Sequence, residues 1–129
     1  MATKSKRPVP TDQELEILKV LWEAGPSTVR DVWKALSAGR NIGYTSVLKV
    51  MQIMRDKELL ICDANQRPQV FRPRQNQKTV RKHLAGDLLD RVFGGSASLL
   101  LLHAIESKKA SPEELAELRQ MLDRLEGAD

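Results

Sequence analysis

Apolar residues recur along this chain at three- and four-residue intervals, and the breaks in that rhythm mark where one helix stops and the next begins. Thr11 followed by Glu14 forms a capping box, and Leu15, Leu18, Val20, Leu21 and Trp22 supply an apolar face that Gly25 and Pro26 bring to a stop. Thr28 with Asp31 repeats the start signal, and Val29, Val32, Trp33 and Leu36 carry the spacing of a second, shorter helix that ends among Ser37, Gly39, Asn41 and Gly43. A third helix is predicted from Tyr44 to Lys57. Val47, Val50, Met51 and Met54 lie on one face, and Thr45, Ser46, Lys49, Gln52 and Arg55 fall largely on others. Three short helices within about 50 residues point to a helix-turn-helix core.

After Glu58 the rhythm changes. Leu59–Cys62 reads as a strand, Ala64–Pro68 as a turn and Gln69–Arg72 as a returning strand. Pro68 fits a turn or an edge, because it has no N–H to give to a ladder. A hairpin directly behind a third helix is the wing arrangement, with Arg67 at its tip. Beyond the hairpin, Lys78–Phe93 reads as a helix with Val80, Leu84, Leu88, Val92 and Phe93 among its apolar positions, ended by Gly94 and Gly95. Ser96 opens the next helix, whose run Leu99–Leu102, His103, Ala104, Ile105 is apolar on more than one face. A monomer of this size could hardly cover such a surface, so a partner surface is expected. Ser111, Pro112 and Glu114 combine an N-cap, a first-turn proline and a capping box, and Leu115, Leu118, Met121, Leu122 and Leu125 continue a stripe.

The predicted fold is therefore mainly α: a winged helix-turn-helix with a short β-hairpin wing, plus a C-terminal helical dimerisation region. The expected division is a flexible basic arm over 1–10, carrying Lys4, Lys6 and Arg7, a reading head over 11–75 and a dimerisation region over 76–129. At 129 residues and 41% apolar, the chain holds one compact core plus an appendage. Charged residues at 29% and aromatics at 4% exclude collagen-like and prion-like chains. Net charge is +4, unevenly spread: residues 40–82 contain 10 Lys/Arg against 3 Asp/Glu, and residues 103–129 contain 4 against 7. A basic middle and an acidic end fit a nucleic-acid footprint beside a segment that need not touch phosphate.

Catalytic and metal chemistry find little support. His83 and His103 lie in no hydrolase motif, and neither HExxH, CxxC nor paired Glu-x-x-His spacing occurs. Gly94-Gly95 lacks the Lys-Ser/Thr of a phosphate loop. No enzyme activity, cofactor or metal is expected. Cys62 reads as a small buried hydrophobe, His103 as a core or interface residue, and Trp22 and Trp33 as core. A lone cysteine, and no apolar stretch longer than Leu99–Leu102, lead to the expectation of a cytoplasmic protein without membrane insertion.

DNA contact is where residue types and spacing agree. A third helix in the major groove needs short polar groups in its first turn and a longer donor in the next, which Thr45, Ser46, Lys49 and Gln52 provide. Tyr44 serves a phosphate or a thymine methyl, or else staples the helix start. Arg40, Arg55 and Arg67 are phosphate candidates. The rival class is a winged helix whose third helix binds a protein instead of DNA.

The stretches PTDQELEILKVLWEAGPSTVRDVWKAL, GYTSVLKVMQIMRDKELL, FGGSASLLLLHAIES and SPEELAELRQMLDRL resemble, in order and spacing, the BlaI/MecI/CopY penicillinase-repressor family of winged-helix transcriptional regulators. The resemblance runs from Pro10 to Glu126. It implies a homodimer that reads a palindromic double-stranded DNA operator, with base contacts from Tyr44, Thr45, Ser46 and Lys49 and backbone contact from Arg67. Leu84, Leu88, Phe93, Leu99, Leu100, Leu102, Leu118 and Leu122 are the expected dimerisation residues. Lactam-responsive members are released through a membrane-bound sensor and proteolysis at an Asn-Phe pair, where this chain has His103-Ala104 as its possible cleavage region. The copper-responsive branch carries C-terminal Cys-x-Cys motifs, which Cys62 alone cannot supply. Many relatives have Arg in place of Ile53 and Gly in place of Glu58.

Overall fold

The computed structural model describes residues 9–63, 65–107 and 110–127. The basic arm expected over 1–10 lies outside them, apart from Val9 and Pro10. Six helices and one hairpin follow in the order α1 (Asp12–Ala24), α2 (Val29–Ser37), α3 (Tyr44–Asp56), β1 (Leu60–Asp63), β2 (Val70–Pro73), α4 (Gln77–Phe93), α5 (Ala97–Ser107) and α6 (Pro112–Glu126). The mainly helical architecture with a hairpin wing is the one the sequence predicts. Two units are distinguished, Met1–Leu84 and Ala85–Asp129, and α4 runs through the division.

In the first unit, the predicted capping boxes form. Thr11 Oγ1 accepts from Glu14 N–H at 3.2 Å, and Thr28 Oγ1 accepts from Asp31 N–H at 3.1 Å. These caps satisfy N–H groups that a helix start leaves without carbonyl partners. The core gathers Ile17, Leu18 and Leu21 from α1, Val29 and Val32 from α2, Val47, Met51 and Met54 from α3, and Leu60 and Phe71 from the hairpin. Ile17 replaces Leu15 and Val20 at the centre of the α1 face. Those two and both tryptophans pack against the core half-buried. Each indole N–H is satisfied: Trp22 Nε1 donates to Gln75 O at 2.9 Å, and Trp33 Nε1 to Ile42 O at 2.7 Å.

The hairpin is antiparallel, with Leu60 opposite Pro73 and Cys62 opposite Phe71. Ser27, just ahead of α2, forms a bridge to β2 outside the β1–β2 pair. Its N–H donates to Phe71 O at 3.0 Å and its carbonyl accepts from Phe71 N–H at 2.8 Å, so the wing is sewn to the α1–α2 link. Cys62 is half-buried beside the core and not enclosed within it.

Helix α3 ends at Glu58, whose φ of 65° is left-handed. Glu58 N–H donates to Arg55 O at 3.0 Å and Leu59 N–H to Met54 O at 2.8 Å. These two bonds make a Schellman cap, the site where glycine is usually preferred because Cβ disfavours positive φ. Glu58 therefore holds a backbone conformation that its Cβ disfavours. Its carbonyl accepts from Arg74 Nε at 3.1 Å, which holds the turn against the β2–α4 link.

The second unit is built differently. Ser96 caps α5 through Leu99 N–H, and Ser111 and Glu114 form the predicted box before α6, while α4, which starts in the first unit, is capped there by Asn76 through Thr79 N–H. Gly94 and Gly95, with φ of 56° and 83°, turn α4 into α5 through 99°. No residue of α5 or α6 is buried. His103 is accordingly not a core residue of the chain: its side chain is 57% exposed, 3.8 Å from Glu106 and beside the Phe93 ring at 5.9 Å. No single helix among the described residues is long and apolar enough to cross a membrane.

Candidate nucleic-acid interface

Helix α3 presents two opposed faces. Val47, Met51 and Met54 are sunk into the core, and Leu48 and Val50 pack against it. Thr45, Ser46, Lys49 and Gln52 are all exposed on the outside, where the sequence places them. The separation follows from the 3.6-residue repeat. Thr45, Lys49 and Gln52 fall within one narrow stripe, with Ser46 beside it.

The start of α3 is distinctive chemically. Gly43 is its N-cap and gives no side-chain hydrogen bond, whereas Thr11, Thr28 and Ser111 cap α1, α2 and α6 with hydroxyls. First-turn N–H groups at Tyr44, Thr45 and Ser46 thus point outward with the positive end of the helix dipole. Tyr44 is 40% exposed, and its ring meets that of Trp33 edge-on at 5.9 Å and 83°. It packs at the helix start and stays open on its outer side.

Cations surround this face in different states of engagement. Lys49 is exposed, and no ion pair is formed by it among the described residues. Arg40 is held back: Nη1 lies 3.2 Å from Glu16 Oε2, and Nε donates to Leu36 O at 3.3 Å. Arg55 lies 4.0 Å from Asp56, a distance worth little in water. Arg67 is exposed at the wing, with Nη1 donating to Gln66 O at 3.1 Å. α3 thus brings Tyr44, Thr45, Ser46, Lys49, Gln52 and Arg55 onto one element. Arg40 stands on the α2–α3 link and Arg67 on the wing.

One structural pair escaped the sequence reading. The Glu14 carboxylate, 3% exposed as a residue, accepts from Lys57 Nζ at 2.9 and 2.8 Å and from Thr11 N–H at 2.9 Å. The capping-box glutamate therefore also ties the start of α1 to the end of α3. Only the tertiary fold brings position 57 to position 14. An apolar-stripe reading treats both as surface.

The expected dimerisation residues divide by exposure. Leu88, Leu99, Leu102 and Leu122 are exposed, while Phe93, Leu100 and Leu118 are half-buried. Leu84 falls in the first unit, on a groove of about 440 Å³ with Val9, Leu59, Val80 and His83. Val92, Leu101, Ile105, Met121 and Leu125 are further exposed apolar residues of the second unit, which the sequence places in its apolar runs without naming them as dimerisation residues. Their alternating appearance on several faces of α4, α5 and α6 was the available signal.

Residues 10–124 match the family described as penicillinase repressor. The chain belongs to the penicillinase-repressor family. The transcriptional regulator BlaI of Mycobacterium tuberculosis (strain H37Rv) is 32% identical over 117 residues, covering 89% of this chain and 83% of that relative. The penicillinase repressor of Bacillus licheniformis is 25% identical over 118 residues, covering 92% of each. Among the described residues no group of three or more His, Cys, Asp or Glu converges in a metal-binding arrangement.

Proposed function

We propose that this member of the penicillinase-repressor family is a DNA-binding transcriptional repressor that acts as a homodimer on a palindromic operator. The observation that carries this reading is the outer face of α3, where Thr45, Ser46, Lys49 and Gln52 are exposed together on a helix whose opposite face is fixed in the core. Hydroxyls and amides of this kind match the donors and acceptors of base edges, and the lysine matches guanine O6 and N7 or a phosphate. The uncapped N–H groups at Tyr44, Thr45 and Ser46 suit phosphate, and Arg40, Arg55 and Arg67 add charge around them.

Dimerisation is supported by the second unit. Ala85–Asp129 buries no side chain among its described residues, although α5 is rich in leucine. Such a unit gains little from folding alone, and a second copy would remove its apolar surface from water. Two linked heads would then occupy successive major grooves about 10 base pairs apart and occlude a promoter. A cut at the exposed His103-Ala104 bond would divide α5 and detach α6, and so dissolve the dimer without touching the head. A membrane-bound sensor acting through a protease is the kind of partner that would drive this release.

The test is selection of bound duplexes from a random pool with the full chain, followed by salt titration on the best sequence. The expected result is a two-fold symmetric site with half-sites one helical turn apart and steeply salt-dependent affinity. Weak binding with no enriched sequence would reject the repressor reading and favour a protein-binding winged helix.

A further inference from the structure

Ile53 sits on the outer face of α3 at 42% exposure and is not one of the buried core residues. Every other large aliphatic residue of α3 is accounted for: Val47, Met51 and Met54 are buried, and Leu48 and Val50 lean on the core. Isoleucine is a poor choice for an exposed helix position, since β-branching lowers helix propensity and its side chain gains nothing from water. Solitary exposed apolar residues are common, so exposure alone decides nothing.

Position decides more. Ser46, Lys49 and Ile53 follow at intervals of three and four, so they line one stripe over two turns. That i, i+3, i+7 spacing is the one by which a recognition helix reaches successive base edges in the major groove. The C5-methyl of thymine is the apolar group on those edges, and an aliphatic side chain is its matching partner. We infer that Ile53 is a specificity-determining residue that packs on a thymine methyl in each half-site. This rests on the DNA-binding reading above and deepens it.

The experiment replaces each thymine of the selected operator, symmetrically in both half-sites, by deoxyuridine, which removes only the methyl. Losing one buried methyl weakens binding by about fourfold per half-site, and so about fifteenfold for the symmetric pair. The expected result is that one thymine pair shows this loss with the unaltered chain. Ile53→Ala should bind the thymine operator more weakly and should not distinguish thymine from uracil at that pair. Its unchanged affinity for random duplex checks that the head still folds. Selective operator binding with no uracil effect, or an Ile53→Ala variant as sensitive to uracil as the parent, overturns this inference alone. Absence of any selective binding by the parent chain overturns the repressor reading, and this inference with it.

Discussion

Replacing Lys57 by methionine would strand the Glu14 carboxylate. Glu14 has three hydrogen bonds, two of them to Lys57 Nζ at 2.9 and 2.8 Å, and the third from Thr11 N–H at 2.9 Å. Removing one partner of a fully buried pair costs about 3–5 kcal/mol, because the remaining charge stays desolvated. The pair here is asymmetric, with side-chain exposures of 31% for Lys57 and 5% for Glu14. Water can enter from the lysine side, so the expected loss for Lys57→Met is about 2–3 kcal/mol. Glu14→Gln should cost only about 1 kcal/mol, since the released ammonium can swing into solvent and the glutamine oxygen still accepts from Thr11. The double variant should be more stable than Lys57→Met alone by at least about 1 kcal/mol. Urea unfolding of all four proteins at one fixed chain concentration reads these values, because the proposed dimerisation would make the midpoint concentration-dependent. A Lys57→Met loss below about 0.5 kcal/mol, or a double variant no better than that single one, would refute the argument from an unpaired buried carboxylate.

Three further outcomes follow from the same structure. Glu58→Gly should stabilise the head by about 0.5–1 kcal/mol in the same unfolding assay, the relief of a left-handed φ exceeding the added freedom of the unfolded chain. No gain would mean that Glu58 is unstrained. Lys49→Ala should weaken the selected operator more than random duplex, whereas Arg67→Ala should weaken both alike and lower the salt slope by about 1. Equal losses for Lys49→Ala remove it from base reading. Leu102→Glu, an exposed position of α5, should give a monomer by sedimentation and lower operator affinity by about a hundredfold or more while the head's melting is unchanged. A persisting dimer would place the interface elsewhere.

Much of the fold is legible in the sequence because the signals are local. Thr11–Glu14, Thr28–Asp31 and Ser111–Glu114 each announce a helix start within four residues, and Gly25 and Gly94-Gly95 announce ends. The exposed stripe of α3 is equally readable, since helical periodicity fixes which positions oppose Val47, Met51 and Met54. What escapes is non-local. The rung between Ser27 and Phe71 joins positions far apart in the chain, and nothing near Ser27 reads as a strand. The capture of Lys57 by Glu14 and of Arg40 by Glu16 needs α1 laid against the ends of other elements. His103 is legible only in part. Its leucine neighbours imply a core or an interface, and α5 buries nothing within the chain, so of the two only the core is excluded.

The loop between α2 and α3 carries a consequence for recognition. Trp33 grips it twice, through its indole N–H to the Ile42 carbonyl at 2.7 Å and through its ring edge-on to Tyr44 at 5.9 Å. The first turn of α3 is thereby set by the fold itself, so on the proposed reading part of its ordering entropy is already lost before a duplex binds. A tip held this firmly cannot remodel itself to suit a near-match. On the proposed reading the duplex has to do the adapting, and sites that twist and bend easily at the helix entry gain over stiffer ones with the same contacted bases.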